Sequence, residues 1–280
     1  MSGRSTRTVA GAVIDIETVI DEDAAAWSGS PKPGERAPLR RIVCASVLRF
    51  VQTPDHGEIV ELDLRTFNSD RHAEAEIIGF VDRTLPDPAN ERSLLVSWNG
   101  RAHDMRLLRH RACAAWMFAT PNLRGWCSPR PAGRHLDMMV DANAGLGRGS
   151  WWSLRDSCAG LSVSLRPPNG RSVTQSLLAG DHAAVSLRNR RDVVGTLLCY
   201  AYWESFRRGC PRAVASAWTA VGRLQGVDPA RDDGSASLSR HHLVETGAAS
   251  YREQGTSGRC GCHGSDSGTT TNPERRTPIA

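Results

Sequence analysis

Val13-Ile14-Asp15-Ile16-Glu17-Thr18 sets two acids inside an apolar run near the N-terminus, where a buried β-strand ordinarily excludes charge. Residues two apart on a strand share a face. Asp15 and Glu17 therefore project side by side, about 7 Å apart along the strand. Two adjacent carboxylates without a basic neighbour repel each other, and a cation of high charge density is the usual remedy. The segment outlines a metal site carried by the first strand, with further ligands to come from elsewhere in the chain.

Working outward, residues 9–18 form that strand, and 21–36, with its acids, Ser, Pro and Gly, reads as a loop that has room for a short helix. Residues 41–50 and 58–64 are rich in β-branched and apolar types. They read as two more strands, joined into a hairpin by Asp55-His56-Gly57. Ala73, Ile77, Ile78 and Val81 recur at helical spacing across 71–85. Residues 94–98 form a short strand that Asn99-Gly100 breaks. A helix follows over 104–118, carrying Met105, Leu108, Ala112 and Trp116. Residues 135–139 read either as a short strand or as a helix start. Residues 152–159 and 181–208 are helical, the latter with Val185, Val194, Leu197, Leu198 and Ala201 on one face, and Gly209 and Pro211 stop it. A last helix spans 212–224. This order predicts an α/β fold: a mixed sheet whose first three strands form a meander and whose later strands are connected through helices.

The chain has 280 residues, 40% of them hydrophobic, and a mean hydropathy of −0.38, ordinary values for a globular protein. No run approaches the roughly 18 apolar residues of a membrane span. The N-terminal stretch is charged but has no apolar region before the first strand, so the expected compartment is the cytoplasm. The net charge of +5 comes almost wholly from arginine, because Lys32 is the only lysine. Such a balance permits nucleic-acid binding without requiring it. The eight scattered cysteines are expected to be reduced thiols. Cys260-Gly261-Cys262-His263 resembles half of a zinc knuckle but has no second ligand pair near it, and His241-His242 has no partner at ligand spacing. Beyond about Val227 the chain turns to Ser, Gly, Thr, Asp and Arg. The expectation is one domain over 1–227 and a disordered tail over 228–280.

Two further acids join the strand pair. Asp104 opens a helix just after a strand, and Asp192 lies inside the long helix. Alone, the first reads as a helix cap and the second as part of a solvated face. Together with Asp15 and Glu17, they form a set that a sheet with flanking helices can gather into one cluster.

The pattern resembles the DEDD superfamily of 3′→5′ exonucleases, above all bacterial proteins similar to the exonuclease domain of family B DNA polymerases. Val13-Ile14-Asp15-Ile16-Glu17-Thr18 matches the DxET strand, and Asn99-Gly100-Arg101-Ala102-His103-Asp104 matches NGxxFD. Asp192-Val193-Val194-Gly195-Thr196 matches the helical DVxxT. His135-Leu136-Asp137-Met138, Ser153-Leu154-Arg155-Asp156 and Gly160-Leu161 are similar to the family's linking segments, and the likeness covers roughly 9–208. It implies a ribonuclease H-like three-layer fold and two divalent cations, Mg²⁺ or Mn²⁺. Asp15 would bridge both ions, Glu17 and Asp192 would complete the first, and Asp104 would hold the second partly through water. Two metals about 4 Å apart suit phosphodiester hydrolysis, one activating water and one stabilising the leaving oxygen. The implied activity is 3′→5′ removal of nucleotides from single-stranded DNA or RNA ends. Asn99 either hydrogen-bonds a substrate phosphate or sugar or simply fixes its turn.

Two departures weaken the match. Four residues before the last Asp the superfamily carries Tyr or His, whereas this chain has Arg188, which cannot act as a general base. Arg188 either clamps the scissile phosphate or pairs with Asp192 in competition with the metal. General-base help is typically worth roughly 10²–10⁴ in rate, so weak hydrolysis is one expectation and a catalytically impaired nucleic-acid-binding protein is the other. His103 replaces the usual aromatic before Asp104, either as a substitute base or as a plain change in the helix-entry turn. Trp151-Trp152 reads as core, with stacking on a base as the other reading. The Arg188–Arg191 run and Arg207-Arg208 either follow a phosphate backbone or solubilise a helix.

Overall fold

Apolar side chains cover both faces of the first strand, β1 (Val9–Ile20), as a central strand of a helix-covered sheet requires. The computed structural model describes residues 8–128, 133–143, 151–165 and 171–225. The 228–280 segment, Cys260-Gly261-Cys262-His263 and His241-His242 lie outside them.

After β1 the chain forms α1 (Glu22–Ser28), capped by Asp21, whose carboxylate accepts from Ala24 N at 3.2 Å. β2 (Arg40–Gln52) and β3 (Ile59–Asn68) then form the expected hairpin, with Gly57 at φ 70° in its turn. α2 (Glu74–Thr84) leads to β4 (Ser93–Ser97), and α3 (Asp104–Ala114) and α4 (Pro121–Trp126) lead to β5 (Arg134–Asp137). Four short or medium helices follow, α5 (Met138–Ala142), α6 (Leu154–Gly160), α7 (Val173–Leu178) and the C-terminal α9 (Arg212–Gln225), with the long α8 (His182–Arg208) between the last two.

The sheet order is β3-β2-β1-β4-β5. The first three strands are antiparallel neighbours, and β4 and β5 add in parallel on the other side of β1. Ala12, Ile14 and Ile16 pack against Ile77, Ile78 and Val81 of α2, Leu107 and Leu108 of α3, and Leu123 and Trp126 of α4. Val13, Leu48 and Phe50 face the opposite way, onto Val193, Leu197 and Ala201 of α8 and Ala217 and Val221 of α9. The result is a three-layer ribonuclease H-like α/β fold with a mixed central sheet, as expected. No helix of the described residues is long and apolar enough to cross a membrane.

Several local expectations are corrected. The third helix stops at Ala114 instead of reaching Phe118, because Met117 N donates back to Ala112 O at 2.8 Å and Trp116 takes φ 56°. Trp116, expected on the buried face, is 82% exposed as a result. In α8 the core position is Val193, with Val194 only half-buried. Trp152 is 54% exposed, not core. The helices α4 and α7 span only six residues each, too short for apolar periodicity to announce them.

Candidate metal centre

Strand alternation sends Val13, Asp15 and Glu17 to the sheet face that α8 covers. Across the antiparallel pair, Asp15 is opposite Ser46 and Glu17 opposite Cys44, and the register shifts at Glu17/Thr18, a bulge beside the acids. On α8, Arg188, Asn189 and Asp192 fall within one turn and meet the two strand carboxylates. Oxygens of Asp15, Glu17 and Asp192 lie within 4.8 Å of one another, and all three residues are half-buried.

Asp104 arrives by a different route. β4 runs parallel to β1, with Val96 beside Val13, so the chain leaving β4 passes the acidic end of β1. Asn99 then turns with φ 64°, a conformation Asn tolerates better than most residues. Gly100 is required by space: a Cβ there would sit 2.4 Å from the Ser97 side chain. The loop is pinned by Asp137, 1% exposed, which accepts from Asn99 N at 2.9 Å, Arg101 N at 3.0 Å and Met139 N at 3.2 Å. Asn99 thus serves at least as the turn residue. The helix begins at Asp104, whose Oδ1 is 2.8 Å from His103 Nδ1. Its Oδ2 is buried with no hydrogen-bond partner among the described residues. Asp104 stands outside the 4.8 Å set, yet its charge raises the pKa of both Asp15 and Glu17.

Burial holds every acid of the group above its ordinary range, and repulsion from neighbouring carboxylates adds to it at Asp15, Glu17 and Asp104. Asp15 is raised by desolvation and then by Asp104, Asp192 and Glu17, against the hydrogen bond from Asn189. Desolvation pushes Glu17 to about 7, against the lowering pull of Arg188, and Asp192 to about 6. Asp104 is raised by burial, and His103 is raised through its bond to Asp104. Four acids disfavoured as anions are an arrangement that gains by taking up cationic charge. The oxygen-only donor set and the orphaned Asp104 Oδ2 both fit a hard divalent cation.

The strand couple has a basic neighbour after all. Arg188 Nε lies 3.2 Å from Glu17 Oε1, so the arginine pairs with Glu17 and not with Asp192. Asn189, absent from the expected set, is fully buried and donates from Nδ2 to Asp15 Oδ2 at 2.5 Å. Its Oδ1 faces Cys44 Sγ at 3.7 Å, and burial pushes that thiol up to about 12, so it stays protonated and able to donate. A polar residue on the apolar stripe of α8, one turn from Asp192, was the available signal for Asn189. Asp137 sits in a recognised linking segment, but its role as a loop clamp was not apparent.

No protein-family model matches the chain, and no curated protein matches it. Solved structures with a loose likeness include exonuclease I, at 11% identity and TM-score 0.41 over 77% of this chain and 46% of that one. Others are the family B DNA polymerase from the hyperthermophilic archaeon Pyrobaculum calidifontis, at 16% identity and TM-score 0.41 over 75% and 27%, and E. coli exonuclease I in complex with a dT13 oligonucleotide, at 9% identity and TM-score 0.41 over 71% and 42%. The chain spans less than half the length of each of these proteins. Strand order and the meeting of the acids, not these likenesses, carry the fold and the site.

Proposed function

We propose that this chain is a metal-dependent 3′→5′ exonuclease acting on single-stranded DNA or RNA ends, with Asp15, Glu17, Asp104 and Asp192 holding Mg²⁺ or Mn²⁺. The observation that carries this reading is the convergence of Asp15, Glu17 and Asp192 within 4.8 Å, with a buried Asp104 Oδ2 that has no hydrogen-bond partner among the described residues. When bound, two cations supply an acidified attacking water and counter-charge for the leaving oxygen. The chain's own residues set the stage: β1 supplies two acids from one face, α8 supplies a third, and the Asn99-Gly100 turn delivers the fourth. Arg188, 40% exposed at its side chain, reaches from α8 with donors to spare for a phosphate, and Asn99 shapes the turn that leads to Asp104. The catalytic unit is residues 1–227, working in the cytoplasm.

One observation favours a second reading. Arg188 occupies the helix position from which a general base would act, and it is paired with Glu17. A protein that binds single strands without cutting them on this scaffold is the alternative. The deciding experiment offers Mn²⁺ and a single strand labelled at either its 5′ or its 3′ end. Stepwise shortening from the 3′ end, abolished by Asp15→Ala, supports the exonuclease. Retained binding with no shortening supports the alternative, and release from the 5′ end overturns the polarity.

A further inference from the structure

The Asp15 carboxylate is gripped from behind. Asn189 is 0% exposed and its amide is fixed at both ends: Nδ2 donates to Asp15 Oδ2 at 2.5 Å, and Oδ1 accepts from the Cys44 thiol at 3.7 Å. A flipped amide would turn its oxygen onto the carboxylate and cost the thiol its amide acceptor, leaving Cys44 only Ser186 as a hydrogen-bonding neighbour, so the observed orientation serves both neighbours better. Cys44 is itself 0% exposed and lies on β2, directly across from Glu17. The relay therefore runs β2 to α8 to β1 and ends on the acid at the centre of the cluster.

We propose that Asn189 is a positioning residue, holding Asp15 so that Oδ2 is committed to the amide and the other oxygen is presented to an incoming cation. This rests on the metal-centre reading above. A freely turning carboxylate loses rotational freedom when it captures an ion, and one already held in place does not, so the amide favours capture without touching the ion itself. Cys44 acts one step further back by keeping the amide from flipping. The bland alternative is that Asn189 merely fills space between α8 and the sheet. Leucine has the same branching and similar volume, so it separates filling from holding.

The test titrates Mn²⁺ alone into the full chain, counting free ion by electron paramagnetic resonance, with thermal unfolding in chelator run in parallel. Asn189→Leu is expected to weaken Mn²⁺ binding by about 10–100-fold, while unfolding without metal stays close to wild type. Cys44→Ala is expected to weaken it by a smaller factor, and Cys44→Ser, which keeps a donor, to restore it. Equal Mn²⁺ affinity in wild type and a folded Asn189→Leu overturns the proposal and leaves the nuclease reading intact. If Asn189→Leu does not fold, the Cys44 pair decides, and equal affinity in Cys44→Ala and Cys44→Ser overturns it. A wild-type chain that takes up no Mn²⁺ overturns both readings together.

Discussion

Arg188 Nε stands 3.2 Å from Glu17 Oε1, so the helix that donates the last acid also brings a cation to one of the first two. With metal absent, that guanidinium is what makes a charged Glu17 tolerable. It must yield its contact, at least in part, when an ion arrives. The pair is 40% exposed on the arginine side, which limits its worth to about 1 kcal/mol or less. Arg188→Met is therefore expected to tighten Mn²⁺ binding modestly, by less than about fivefold. It should also raise KM for a single strand through loss of the phosphate contact. Calorimetric titration of the ion and steady-state kinetics read the two effects separately, and a weakened ion affinity would refute the competition.

The acids make the metal-free protein sensitive to pH in a defined direction. The folded-state pKa values of Glu17, about 7, and Asp192, about 6, exceed the ordinary values of 4.5 and 3.8. Between those limits the folded chain binds more protons than the unfolded one, so stability falls as pH rises. Melting temperature in chelator is expected to drop steadily from about pH 4.5 to pH 7.5. Asp15→Asn should flatten that slope, because it removes a carboxyl whose own folded-state pKa is raised by burial and by the neighbouring acids. Added Mn²⁺ should reverse the loss at pH 7.5. A melting temperature that climbs across this window would contradict the assignment.

Among the described residues Asp137 makes no hydrogen bond to the four acids of the cluster, yet it accepts three backbone N–H groups that shape the approach to Asp104. Asp137→Ala leaves those donors unpaired in a site that is 1% exposed. A cost of about 1–3 kcal/mol follows for buried N–H groups left without their acceptor. Urea unfolding measures it. Nuclease activity should fall as well, although the other acids are intact.

Gly100 has no room for a methyl group, since its Cβ would lie 2.4 Å from both Cβ and Oγ of Ser97. Gly100→Ala is expected to cost about 1–3 kcal/mol through displacement of the turn. The displacement moves Asp104, so Mn²⁺-dependent cleavage should drop more than stability alone explains. Unfolding curves and single-turnover rates on one preparation make the comparison.

The first four strands, the hairpin and the long α8 were legible from local pattern, whereas 135–139 stayed open between strand and helix, and Asp104 and Asp192 joined the site only through the resemblance of three motifs. Period-two alternation puts Asp15 and Glu17 on one face, and helical spacing puts Arg188 and Asp192 on another. Short helices such as α4 escaped, because six residues show too little periodicity. Trp116 misled for a related reason: its spacing continued the apolar stripe, while the helix had ended at Ala114 and the backbone turned left-handed at Trp116 itself.

What local order cannot encode is which distant group answers which charge. The periodicity of 9–18 already specified that Asp15 and Glu17 share one face of β1, and that of 181–208 placed Arg188 and Asp192 one turn apart on α8. That Glu17 meets Arg188, that Asp15 meets Asn189 across 174 residues, and that Cys44 backs the amide came from folding alone. Alternation and helical turn are properties of neighbouring backbone bonds, whereas these pairings depend on how α8 settles across the sheet through Val193 and Leu197, a packing no single segment contains.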